Sequence, residues 1–533
     1  MPSMPSRSVA FLAAALVLSG AVVCAGAASP QDELYLIQLR RESVPVHRRG
    51  AVVSHKTSYS GKIRVGSPSQ VFSVVFDTGS GHVVLPAKEC ASESCQIHRR
   101  YDMSSSKTAT PVNVDGSVVL PGELCDQVTI GFGTGTVTGE FAHERVCAGG
   151  ALQAAAGRKA EPPCGVMRVV MAVEMSEQPF KSFHFDGIFG LGLDSLAMNK
   201  NFSAFDMLVG HGKVSASHFG VFLTEGEDDE GSEIAMGGIN EKRMLDPLSW
   251  APVAMADLGY WQIHISAVRI NGVELDVCKD GTCRGVVDTG TSHLGIPAPF
   301  DGEIAELLTR EAGDLLDCRN VEAPEIEFDI AGRKLTLHPF NYMRRLPLRE
   351  GVSVSSSQGV YVPSNETNAT LGLPSSADAV NATAVNTTAN ATSGQNASSE
   401  VSVAEQEAPV RRHCRPRLMP VRLPEPLGPK LFILGEPVLH RYYTVFDWGK
   451  RQVGFSLANN RRNTMDPAEF KNQRGELPKE VDMLLMQKTM QTKRRLHKAL
   501  PSGPGGAEEI EEEAVLLQVK VRFSVSRRPR IAI

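Results

Sequence analysis

Two short stretches of this chain are near-copies of one another, and both carry a side chain able to move protons. Phe76-Asp77-Thr78-Gly79-Ser80 recurs as Val287-Asp288-Thr289-Gly290-Thr291. A single Asp-Thr-Gly is weak evidence, because Asp and Thr bond to nearby backbone in ordinary turns. The contexts match as well. Each copy follows an apolar, β-rich run (72–76 and 285–287) and is followed within ten residues by a proline, Pro86 or Pro297. Each also has a downstream apolar-glycine partner, at 186–192 for the first and 432–435 for the second. The repeat implies two similar lobes, each supplying one carboxyl group.

Paired carboxyls suit hydrolysis by water. Cleaving a peptide bond without a nucleophilic side chain needs a base to activate water and an acid to protonate the leaving group. Asp77 and Asp288 sharing one proton supply both. At about 3 Å and an effective dielectric near 20, two negative charges repel by roughly 5 kcal/mol, so both do not ionise freely near neutral pH. Gly79 and Gly290 let the backbone turn sharply and approach the other lobe. Thr78 and Thr289 are placed to donate across the junction, while Ser80 and Thr291 can reach the outer carboxylate oxygens and favour their charged form.

The elements that must position these groups are strands. From Tyr59 to about Ala458, short alternating runs such as 62–65 and 71–76 are broken by turn residues, which reads as β-structure. A helix is expected over 300–316, with Ile304, Leu307, Leu308 and Leu315 near one face. Residues 351–412 are rich in Ser, Asn, Thr, Ala and Val without period, and predict a disordered insertion. Sequons at Asn365, Asn368, Asn381, Asn386, Asn390 and Asn396, with Asn201 outside the insertion, predict N-glycosylation.

The ends differ from the body. Arg7, the apolar run 10–23 and Ala25-Gly26-Ala27 form a signal-peptide pattern, with cleavage expected near Ala27 or Ala28. That run, about 15 residues, is shorter than the roughly 20 of a membrane span, so no transmembrane segment is expected in the mature chain. The expected organisation is a signal peptide (1–27), a basic pro-region or arm (28–57), a first lobe (58–250), a second lobe (251–458, containing the insertion) and a charged extension (459–533). Within the extension, 479–500 has a helical pattern, an acidic run spans 508–513, and alternation reappears at 519–525. A solvated appendage is the expected reading, with a membrane-surface or partner-binding helix as the alternative. With 42% apolar residues and a net charge of −5, the chain is globular and not a nucleic-acid binder. Its cysteine spacings lack zinc-site pairs, so neither metal nor cofactor is expected.

These residues resemble the pepsin family of eukaryotic aspartic peptidases from Tyr59 to Ala458. Beyond the two triads, 65–70, 259–263, 433–437 and 442–447 are similar to family segments. The resemblance implies a mainly β, bilobal fold with two similar β lobes, a central cleft and a β-hairpin flap. It also implies aspartic endopeptidase activity on polypeptide substrates. Aspartic peptidases are the standard case of two carboxyls titrating as a unit, one low and one raised, so activity is expected to favour acidic pH. By the same resemblance, disulfides join Cys90 to Cys95, Cys278 to Cys283 and Cys318 to Cys414. Of the remaining Cys125, Cys147 and Cys164, the pair Cys147–Cys164 is favoured because it flanks a loop between strand-like runs, leaving Cys125 free or intermolecular.

The flap matches residues 130–139, with Phe132, Gly133, Thr134 and Gly135 as substrate-facing candidates. Phe132 stands where the family usually has tyrosine, and Val84 where most members carry the tryptophan that bonds it. Both partners of one hydrogen bond are replaced together, so neither polar group is stranded. Residues 34–41 resemble the start of a zymogen pro-segment. The alternative functional reading is a catalytically weak relative that binds peptides in the cleft. A third is a glycosylated surface protein built around the insertion. A monomer in the secretory pathway is expected, either extracellular or in an acidic vesicle, vacuole or lysosome.

Overall fold

The computed structural model of the chain describes residues 34–48, 51–133, 135–150, 153–155, 158–160, 162–225, 230–349, 411–465, 487–496 and 514–517. The signal peptide expected at 1–27, residues 351–410 of the 351–412 insertion with its six sequons, and the runs at 508–513 and 519–525 lie outside the described residues. The expected class is observed: the protein is mainly β. The strands that position the repeated motif are β1 (Tyr35–Arg48), β2 (Ala51–Val65), β3 (Gln70–Asp77), β4 (Val83–Pro86), β5 (Leu124–Phe132), β6 (Thr136–Cys147), β7 (Cys164–Met175) and β8 (Gly187–Gly190) in the first half. In the second half they are β9 (Arg284–Val287), β10 (Leu294–Pro297) and β11 (Leu431–Leu434).

The sequence repeat becomes a repeat of topology. In the first half β8 lies between β3 and β4, parallel to β3 and antiparallel to β4. In the second, β11 lies between β9 and β10, parallel to β9 and antiparallel to β10. Asp77 therefore ends a central strand and Asp288 directly follows one, and the downstream apolar-glycine run is the strand beside it. These strands are buried on both faces, which is why 187–190 and 431–434 read as continuous apolar runs.

Three local expectations differ from what is observed. The segment read as a patternless arm forms β1, pairing with Ser232–Met236 on one side and β2 on the other. Its alternation is present: Tyr35, Ile37 and Leu39 are buried while Gln38 and Arg40 are exposed. The boundary drawn at 57/58 falls inside β2. The expected helix over 300–316 ends at Leu308, because Arg310–Glu311 pairs with Arg412–Cys414 instead. Arg412, placed in the insertion from sequence, thus already belongs to a strand. Finally, part of the helical pattern at 479–500 is a strand, β12 (Gln487–Leu496), which pairs along β5 and is itself paired by β13 (Ala514–Leu517). The open edge of β5 offers a row of backbone donors and acceptors, and satisfying them overrides a local helical preference.

Disulfides join Cys90–Cys95, Cys147–Cys164, Cys278–Cys283 and Cys318–Cys414. Cys125 is free, and its burial removes it from intermolecular pairing. Burial, with Glu140 beside it, pushes its thiol up to about 12.

The two halves also meet through buried charge. Glu225 Oε2 accepts from Arg319 Nη1 at 2.5 Å and from Arg345 Nη2 at 3.0 Å. His440 Nδ1 lies 3.6 Å from its other oxygen. Glu436 accepts from the Thr57 hydroxyl at 2.7 and 2.8 Å, and the Tyr59 hydroxyl lies 2.7 Å from His440 Nε2. Burial pushes the Glu225 carboxyl up, but Arg319, His440 and Arg345 outweigh it and hold it well below the usual range. Removing one charge from such a cluster leaves the others buried and uncompensated. Glu225→Gln should therefore cost about 3–5 kcal/mol in chemical denaturation at pH 7. A folded pKa below the ordinary 4.5 means that this contribution is complete above that value and fades only as pH falls through the lower, folded one. The stability gap between the two proteins should persist at mildly acidic pH and narrow only in strong acid.

Candidate active site

Each aspartate is fixed by its own loop. Gly79 N–H donates to Asp77 Oδ1 at 2.9 Å, and Gly290 N–H donates to Asp288 Oδ1 at 2.8 Å. The two loops then clasp each other: Thr78 N–H donates to Thr289 Oγ1 at 3.0 Å, and Thr289 N–H to Thr78 Oγ1 at 3.0 Å. Each hydroxyl in turn donates to the strand preceding the opposite aspartate, Thr78 Oγ1 to the Val287 carbonyl at 2.9 Å and Thr289 Oγ1 to the Phe76 carbonyl at 2.6 Å. Thr291 donates its hydroxyl to Asp288 Oδ2. Ser80 lies beside Asp77, but its Oγ and Asp77 Oδ2 are buried without hydrogen-bond partners among the described residues. The pseudo-symmetry of the clasp is therefore broken at the carboxyl groups themselves.

Close approach requires glycine. A Cβ on Gly79 would come within 2.8 Å of Asp288 Oδ1. The downstream glycines meet the same constraint, since a Cβ on Gly190 would lie 2.4 Å from the His82 nitrogen and one on Gly435 2.3 Å from the Thr291 carbonyl. The matched glycines mark the two places where an adjacent strand slides beneath an aspartate loop.

Both carboxyls are fully buried. Burial and the neighbouring Asp288 charge raise the Asp77 carboxyl well above its ordinary value, against the opposing effects of Ser80 and the Gly79 N–H. Burial also raises Asp288, but Thr291, the Gly290 N–H and the neighbouring Asp77 side chain oppose it. Both carboxyls are thus shifted toward their neutral form, and Asp77 carries the added repulsion of its partner.

The hairpin of β5 and β6 stands nearby. Phe132 N–H donates to the Gly135 carbonyl at 2.7 Å, closing its turn. Thr136 N–H donates to Ser176 Oγ at 3.0 Å, tying the hairpin to the loop after β7. A Cβ on Gly135 would meet the Gln178 carbonyl at 2.1 Å. Phe132 is buried edge-to-face against Phe180, with centroids 5.9 Å apart, in an apolar cluster that includes Val84. Thr134 lies outside the described residues. Asn201 is exposed on a short helical turn, Lys200–Phe202.

Sequence reasoning gave several residues no role at the site. Tyr260 is buried close enough to the pair that, after burial itself, the charges of Asp288 and Asp77 push its phenol further up. Trp261 Nε1 donates to the Leu191 carbonyl at 2.8 Å, and Leu191 N–H donates to the Asp77 carbonyl at 2.7 Å, which links the start of the second lobe to the first aspartate. Buried histidines stand at the same step beyond each aspartate: His82 Nε2 receives Met198 N–H at 3.1 Å, and His293 Nε2 lies 3.1 Å from Arg344 Nη2. Extending the repeat comparison by two residues finds this histidine pair.

With two carboxyl loops clasped across a pseudo-twofold, the comparisons with known proteins become decisive. A model of the eukaryotic aspartyl protease family matches residues 58–369, more than half of the chain. The chain belongs to the eukaryotic aspartyl protease family. It is similar to cathepsin E of Aquarana catesbeiana, 28% identical over 75% of this chain and 79% of that protein. It is also similar to pepsin A of Sus scrofa, 30% identical over 58% and 74% of the two chains, and to chymosin of Callithrix jacchus, 31% identical over 56% and 72%. Its enzyme class is accordingly that of an aspartic-type endopeptidase, a hydrolase.

Among the described residues of this aspartyl protease, no group of three or more His, Cys, Asp or Glu side chains could hold a metal. No described helix is long and apolar enough to cross a membrane. Gly79→Ala tests the close approach of the loops. Pushing Asp288 aside by a fraction of an ångström should lower kcat by about a hundredfold or more while the far-ultraviolet circular dichroism stays unchanged.

Proposed function

We propose that this peptidase hydrolyses peptide bonds within polypeptides by activating a water between Asp77 and Asp288, and that it does so best in acid. The observation supporting this reading is a pair of fully buried carboxyls on two clasped loops, both raised by burial, with Asp77 raised further by the charge of Asp288. Such a pair carries one acid and one base at once. As water adds to the scissile carbonyl carbon, the ionised Asp288 takes its proton and the neutral Asp77 gives its own to the carbonyl oxygen. As the tetrahedral diol collapses, the C–N bond breaks, the departing amine takes the proton held by Asp288, and one diol hydroxyl returns its proton to Asp77. The pair returns to its singly protonated state with no net change.

Thr78, Gly79, Ser80, Thr289, Gly290 and Thr291 keep the two carboxyls coplanar and close, while Phe132, Gly133, Thr134 and Gly135 cover the substrate. The occupied β1 position supports reading the segment before residue 58 as a pro-region that folds as part of the sheet. The signal-peptide pattern and four disulfides support passage through the secretory pathway, with glycans at Asn201 and on the insertion. The two lobes, the 351–412 insertion and the 459–533 extension then form one monomeric polypeptide hydrolase.

The test uses the purified mature protein on a denatured protein substrate. Because the Asp77 carboxyl titrates high, its proton is present in acid and is lost as pH rises, so cleavage should be strongest at about pH 4 to 6 and decline toward neutrality. Asp77→Asn and Asp288→Asn should each abolish it, as should a statine-type inhibitor, whereas deletion of 351–410 should leave it intact. Peptide binding without inhibitor-sensitive cleavage would mark a cleft-binding protein instead.

A further inference from the structure

The C-terminal strand does not lie on an arbitrary edge of the protein. β12 pairs antiparallel with β5 from Leu496 opposite Leu124 to Gln487 opposite Phe132, with a register shift between Gln487 and Thr489. It therefore runs the full length of the outer flap strand, from its base to the residue at the turn. Met490, opposite Ile130, is buried in the same apolar cluster as Val128, Ile130, Phe132, Val84 and Phe180. β13 pairs with the far side of β12, with Thr489 opposite Leu517 and Thr492 opposite Ala514. The flap is thus the inner part of a four-stranded patch rather than a free two-stranded ribbon.

We infer that the outer edge of the flap strand is a strand-addition site, that its occupant is the chain's own Gln487–Leu496 segment, and that this segment is a brace restricting flap opening. An isolated two-stranded ribbon twists and bends readily, whereas further strands with a shared apolar face stiffen it. To lift Phe132, the braced flap must either carry β12 with it, exposing Met490, or break pairing along the β5 edge. Substrate admission is thereby coupled to a segment far from the dyad in sequence. The inference rests on reading the β5–β6 hairpin as the cover of the Asp77–Asp288 site.

Two variants of the full chain test it from opposite sides. Thr129 and Gln491 are register partners, and directly opposed positions of an antiparallel pair lie within disulfide reach. Native Cys125 stays out of the exchange because it is buried with its thiol raised. Thr129→Cys/Gln491→Cys should cross-link on oxidation. Once locked, it should slow amide exchange in 131–136 and lower kcat/KM on a denatured protein, each by about tenfold, with recovery on mild reduction relative to wild type treated identically. Met490→Asp should do the reverse, speeding exchange in 131–136 by about tenfold and raising kcat/KM. Failure of the cysteines to cross-link, or flap exchange identical in locked, released and wild-type protein, would overturn the brace. Exchange is read equally well in an Asp77→Asn background, so loss of the catalytic reading alone would leave this result standing and be recognised as a separate failure.

Discussion

A buried pair of carboxyls is the contact around which this chain is arranged. Desolvation acts against the charge of both Asp77 and Asp288, and repulsion by Asp288 adds to it at Asp77, so the arrangement requires that this charge be relieved and that the two loops not drift apart. Four hydrogen bonds of the Thr78–Thr289 clasp meet the second requirement, each joining segments that are adjacent only because both lobes are folded. The clasp uses backbone groups and hydroxyls, which keep their hydrogen-bonding roles across the acidic range. Its geometry is therefore independent of the titration that it serves. The glycines follow from the same constraint, because a loop that must bring two carboxyls into contact has no room for a Cβ.

The sheet linking the lobes extends this logic outward. β1 pairs with Ser232–Met236, which continues through His218–Phe222 to Tyr442–Asp447 of the second half, so backbone pairing crosses from one lobe to the other. Beside it, Glu225 and Glu436 are held among Arg319, Arg345, Arg417 and His440. An ion cluster is an expensive way to join two bodies, since desolvation opposes every charge in it. Its carboxylate Glu225 is nevertheless lowered, whereas Asp77 is raised. The two sites therefore shift in opposite directions, Asp77 toward its neutral form by burial and the Asp288 charge, Glu225 toward its charged form by Arg319, His440 and Arg345.

What could be read in the sequence, and what could not, divides by range. The aspartate loops were legible because their chemistry and turn geometry are written in consecutive residues and then repeated. The strand textures of 62–65 and 71–76 were legible for the same reason. Glu225, Arg319, Arg345 and Glu436 look like ordinary surface charges, and only contacts such as Thr57 with Glu436, 379 positions apart, decide that they are buried. β1 was missed although its alternation is present, because a basic composition masked it. β12 was missed because its local pattern favours a helix and its strand state depends on an edge far away in the chain. Thr291 donates to Asp288 Oδ2, whereas Ser80 lowers the Asp77 carboxyl without a hydrogen bond of that geometry. Sequence symmetry does not guarantee symmetry in the bonds made.

The replacement of the flap tyrosine and its tryptophan partner has a structural consequence beyond one lost bond. With Phe132 and Val84 in those places, the flap root is held by apolar contact with Phe180 and its neighbours. Apolar burial is strong but has no direction, so it holds the hairpin near the core without fixing its angle. Direction must come from backbone pairing and short polar ties. Ser176 supplies one on the inner side, and Thr129 meets Thr138 across the hairpin at 2.9 Å. On the outer side, the register of β12 along β5 supplies the remaining constraint. A flap that has exchanged a directional side-chain bond for apolar packing is one in which an added strand has the greatest leverage over position.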